Sequence, residues 1–92
     1  MKKDILDRIE QDFGSATAVV AVLEGLEEPN RGRLSERVIR AIIFLADGDM
    51  VKLAHYVELA RTDYRDLLWQ AEYEEPNQRK YDFSRPFDQH RL

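Results

Sequence analysis

Arg33, Arg37 and Arg40 fall four and three residues apart, with Arg31 just upstream. On a helix that spacing lines them along one face at the helix start. Guanidinium forks and free backbone N–H groups there together suit a phosphate or a carboxylate. The plainer reading is a solvated rim, paired with Glu36 and with acids on neighbouring helices. Asp63, Asp66, Glu72, Glu74 and Glu75 are the carboxylates dense enough for acid–base work. Catalysis would require one of them to be desolvated so that its pKa rises. Their place on the outer side and end of a helix predicts a solvated acidic face instead. His55 and Glu58 stand one turn apart, as two metal ligands in a bundle would. The matching pair from a second helix is missing, and His90 lies far off in the tail. Asp47-Gly48-Asp49 lacks the further acidic positions of a calcium loop. No catalytic residue, metal or cofactor is expected.

The large aromatics offer a different chemistry. Tyr56, Trp69 and Tyr73 fall beside the apolar seam of their helix rather than on it. Trp69 and Tyr73 are one turn apart with Arg65 a turn before, a spacing that allows a ladder of guanidinium over indole over phenol. Tyr81, Phe83 and Phe87 make the tail too aromatic to idle in solvent. Either the tail aromatics and the first helix cover Tyr56, Trp69 and Tyr73, or these form an exposed patch of the kind that marks a protein interface.

The elements that position these groups are helices. Val38 to Ala46 reads Val-Ile-Arg-Ala-Ile-Ile-Phe-Leu-Ala, with Arg40 as its one polar residue, and a helix so apolar must be covered on most sides. Before it, Ile5, Ile9, Phe13, Ala16, Val20 and Leu23 recur at helical spacing from Asp4, a plausible N-cap, to Leu26. Gly14-Ser15 interrupts this pattern without shifting its phase, so the prediction is one helix, bent or broken there. A strand over Thr17 to Leu23, suggested by its β-branched residues, would have no partner. Glu27 to Gly32 reads as a loop, Ser35 as the next N-cap, and Leu34 with Ile39 as a hydrophobic staple. Asp47-Gly48-Asp49 ends the central helix, with Gly48 left-handed and Asp49 capping the third helix. Leu53, Val57, Ala60, Tyr64, Leu67 and Ala71 then alternate at spacings of four and three, the seam of a helix packed lengthwise. Thr62 and Asp63 are poor helix formers and allow a kink. Pro76 ends the helix.

With 92 residues, 43% hydrophobic and 35% charged, the chain makes one domain with a modest core. No run approaches the about 20 apolar residues of a membrane span, and no secretory leader is evident, so a cytoplasmic location is expected. The absence of cysteine excludes disulfides and thiolate sites. Residues 1–78 carry 10 basic and 16 acidic side chains, and residues 79–92 carry 4 and 2, a body at −6 and a tail at +2. An acidic body repels phosphate backbones. The two helices around Asp47-Gly48-Asp49 have a helix-turn-helix outline, but the second opens with only Lys52 and His55 to meet bases. Nucleic acid is therefore a disfavoured partner.

The segment Asp63-Tyr64-Arg65-Asp66-Leu67-Leu68-Trp69-Gln70-Ala71-Glu72-Tyr73, after Leu45-Ala46-Asp47-Gly48-Asp49, resembles small bacterial helical proteins with a similar aromatic tail and no assigned function. The resemblance implies a bacterial origin and a helical fold, and adds no catalytic residue. The expected architecture is all-α: a bundle of helices over about residues 4–26, 35–46 and 50–73, four helices if Gly14 breaks the first. An extended aromatic arm over 76–92 completes it. The expected function is a non-enzymatic interaction module, self-associating or binding another protein through Tyr56, Arg65, Trp69, Tyr73, Tyr81, Phe83 and Phe87. Anion or nucleic-acid binding through Arg31, Arg33, Arg37 and Arg40 is the alternative.

Overall fold

The computed structural model describes residues 2–24 and 36–92. Within them the chain is mostly helical, in the order α1 (Lys3–Phe13), α2 (Thr17–Glu24), α3 (Glu36–Ala46) and α4 (Met50–Glu72). A small antiparallel hairpin, β1 (Tyr73–Glu75) and β2 (Gln78–Arg79), comes after α4. Arg31, Arg33, Leu34 and Ser35, with the expected cap and staple, lie outside the described residues.

Gly14 breaks the first helical pattern, so the described residues hold four helices rather than three. Its φ of +80° is the left-handed C-cap of α1, and its N–H returns to the carbonyl of Glu10. The Thr17–Leu23 segment is helical, as α2. Resuming after a break alters the phase: Val19 is sealed in the core, and Val20, the expected position, is only half-buried. Asp4 is not the N-cap of α1. That position falls to Lys2, with no side-chain cap, and Asp4 in the first turn faces α3.

Every residue of α3 from Val38 to Ile43 is buried, as expected for so apolar a rod. α4 packs along it. Between the two helices Asp47 and Gly48 both take positive φ, and the Asp49 carboxylate accepts from the Val51 and Lys52 N–H groups at 2.8 and 3.2 Å. Leu53, Val57, Ala60, Leu67 and Ala71 are buried along the predicted seam of α4, but Tyr64 is 39% exposed. The cause is Asp63, whose φ of −156° and ψ of 86° interrupt the helix. Its carboxylate accepts from the Arg65 and Asp66 N–H groups at 3.2 Å, so it acts as the N-cap of a second helical segment. The kink rotates Tyr64 off the seam.

The arm is not extended. After the hairpin it closes on itself, with a bridge between Tyr81 and Arg91 and a bond from the Leu92 N–H to the Lys80 carbonyl at 3.0 Å. Residues 82–90 form the loop so closed, and Phe83, wholly buried, plugs it into the core.

Candidate functional site

Phe83 is gripped from both ends of its peptide unit. Its N–H donates to Glu72 Oε2 at 3.0 Å, and its carbonyl accepts from Arg40 Nη1 at 3.1 Å. Each gripping side chain is held by another element. Arg40 forks onto Asp4, Nε to Oδ2 at 2.9 Å and Nη2 to Oδ1 at 3.1 Å, and Asp4 Oδ2 accepts from the Phe87 N–H at 3.2 Å. Glu72 accepts from Arg37 through both Nε and Nη2, and from Arg79 Nη2 at 3.3 Å. Two charge-assisted clusters thus staple α1, α3, α4, β2 and the closing loop together.

These charges are stable as charges. Burial pushes the Glu72 carboxyl up, but the Arg37 fork, the Phe83 N–H and Arg79 outweigh it and hold the pKa below its ordinary value. Asp4 is likewise lowered, with Arg40 and the Phe87 N–H outweighing its desolvation. Glu72 contradicts its assignment to a solvated acidic face, because its side chain is fully buried. Arg40 likewise is no solvated rim residue. It is 2% exposed and saturated by Asp4 and Phe83, and Glu36 is only 3.7 Å from its Nη2. Of the predicted arginine cluster, the described members Arg37 and Arg40 are thus paired with Glu72 and Asp4, Arg37 with a side chain still 39% exposed.

An aromatic tier lies over this grip. Phe44 of α3 meets Tyr81 and Phe83 with centroids 5.0 Å away in each case, and the His90 ring stacks on Tyr81 and on Phe83 at 5.3 Å. Phe87 closes the edge, with Arg8 lying over its ring at 4.9 Å. Phe83 belongs to the core, and Tyr81 and Phe87 pack against it half-buried, so the tail rings bind their own bundle. Phe44 and His90 are the members that sequence reasoning missed. Their signal was weak: Phe44 sat within a uniformly apolar run, and His90 stood alone.

The remaining predicted residues lie on α4 and beyond. Tyr56 is half-buried, edge-on to His55 at 5.0 Å, and Tyr73 is half-buried where it opens β1. Trp69 is 49% exposed and Arg65 is exposed. The guanidinium of Arg65 lies over Tyr64 at 5.9 Å rather than over Trp69, so the ladder does not form within the protomer. Tyr64, Arg65 and Trp69 are therefore each exposed on the second segment of α4, with Arg65 and Trp69 one turn apart.

A shallow groove of about 480 Å³ runs between α1 and the loop, lined by Lys3, Asp4, Asp7, Arg8, Gln11, Phe87 and Asp88. Arg8 within it is tied to Asp12 at 2.8 Å. Among the described residues no group of three or more His, Cys, Asp or Glu is placed to hold a metal ion. No helix of the described residues is long and apolar enough to cross a membrane. No protein-family model matches this chain, and neither a curated protein nor a solved structure matches it.

Proposed function

We propose that the protein is a non-enzymatic interaction module of the cytoplasm that presents the outer face of α4, centred on Trp69, to another protein chain. The observation that carries this reading is the half-exposed indole on a helical segment capped by Asp63 and clamped at its other end through Glu72. A large ring with only two side-chain torsions loses little freedom on binding, which is what makes Trp and Tyr effective interface anchors. The charged groups support the same reading. Asp4 and Glu72 are shifted toward their ionised forms, opposite to the raised carboxyl pKa that a general acid needs. The tail rings, sealed in cis, serve as scaffold and not as contact.

The test is site-specific photo-crosslinking in the native cell. A crosslinker at Gln70, exposed beside Trp69, is expected to capture protein adducts that one at the exposed Glu10 of α1 does not. Trp69→Ala should abolish them while the variant stays folded by circular dichroism. Equal adducts at both sites, or adducts indifferent to Trp69→Ala, would overturn the reading.

A further inference from the structure

Arg65 and Trp69 stand one turn apart on the same side of α4, after the kink, and both are exposed. A guanidinium attracts the face of an indole more strongly than that of any other side chain, and does so within about 6 Å. Within the single chain Arg65 lies over the Tyr64 ring, at 5.9 Å, the outer limit of that range. The indole thus presents a face suited to a cation, and the cation one turn away points at a poorer ring. Among the described residues no cation lies over the Trp69 ring, and an antiparallel pair of copies supplies one to each.

We propose that this face docks on a second copy of the chain. The two α4 segments run antiparallel about a two-fold axis between Arg65 and Trp69, so that Arg65 of each copy lies over Trp69 of the other. The inference rests on the reading of α4 as an interaction face and specifies its occupant. Self-complementarity of charge and ring selects the orientation. A parallel pair would set Arg65 against Arg65, whereas the antiparallel pair exchanges two guanidinium–indole contacts through one isologous patch. Two helical turns make a small interface, so the dimer is weak and concentration-dependent.

Sedimentation equilibrium of the full chain, from roughly 10 μM to 1 mM, provides the test. The wild type should dimerise across that range. Arg65→Ala and Trp69→Ala should each weaken association about tenfold or more, with both variants still folded by far-UV circular dichroism. An equimolar mixture of the two variants should associate more tightly than either alone. One Arg65–Trp69 contact survives in the mixed dimer and none in either parent. A monomeric wild type at the highest concentration, or a mixture no tighter than its parents, would overturn the proposal. If the purified chain is monomeric while crosslinks at Gln70 still capture a different protein, the self-pairing fails and the interaction module stands. If those crosslinks vanish as well, both fail.

Discussion

Glu72 shows how one side chain converts burial into organisation. A lone carboxylate in a core would shed its charge, since desolvation of an unpaired ion costs several kcal/mol. Glu72 keeps it because Arg37, Arg79 and the Phe83 N–H converge on it. Both Glu72 and Asp4 have folded-state pKa values below their ordinary ones, so each contributes stability that is present above the unfolded value and lost as pH falls through the folded one. Urea melts should therefore give near-constant stability from neutral pH to about 5 and a decline below about 4, where free carboxyls protonate. Glu72→Gln should be less stable at pH 7 by roughly 1.5–3 kcal/mol, because the bonds remaining to Arg37 are no longer charge-assisted. Its acid decline should be shallower than that of the wild type. A variant with an unchanged acid profile would mean that Glu72 titrates normally.

The elements are joined by backbone choices with distinct costs. Gly14 and Gly48 both take left-handed φ, near +80°, but a Cβ at Gly14 meets open space while one at Gly48 lies 2.6 Å from the Asp12 carbonyl oxygen. The turn between α3 and α4 therefore sits directly on the end of α1, and only a glycine allows that approach. Gly14→Ala should cost about 1 kcal/mol, the conformational penalty alone. Gly48→Ala should cost distinctly more, roughly 2–4 kcal/mol, since overlap adds to strain and α1 must shift. Parallel denaturation curves resolve the difference, and equal costs would show that α1 is not seated on this turn. Gly48 and Asp49 were readable as cap and N-cap because helix termini are local. Asp63 was readable only as a weak point, since whether an aspartate caps a new segment or rides in an unbroken helix depends on what the two segments pack against.

At the scale of the whole molecule, the C-terminal loop is a structural member. Phe83 fills the core while its backbone bridges Glu72 and Arg40, so the loop, the hairpin and three helices share one anchor. Phe83→Ala should destabilise by about 3–5 kcal/mol. It should also raise hydrogen exchange across residues 80–92 together, because the closing bonds from Asp82 and Leu92 depend on the seated ring. Loss confined to Phe83 and its neighbours would show instead that the loop is held by its own bridge. With the tail rings packed on the bundle, Tyr64 and Trp69 are the exposed large aromatics among the described residues.

Short-range pattern determined the helices, the caps at Gly48 and Asp49, and the burial of Val38 to Ile43, because a helix is written in residues three and four apart. It also marked Gly14 and Asp63 as the places where a helix could fail. What only the tertiary structure decided was the fate of the charges and rings. Arg40 meets Asp4 across 36 positions, Arg37 meets Glu72 across 35, and Phe87 meets Asp4 across 83. No spacing rule reaches so far. An arginine on a helix face looks the same in sequence whether water or a carboxylate awaits it, and the docking of the other helices and the tail loop supplies the answer.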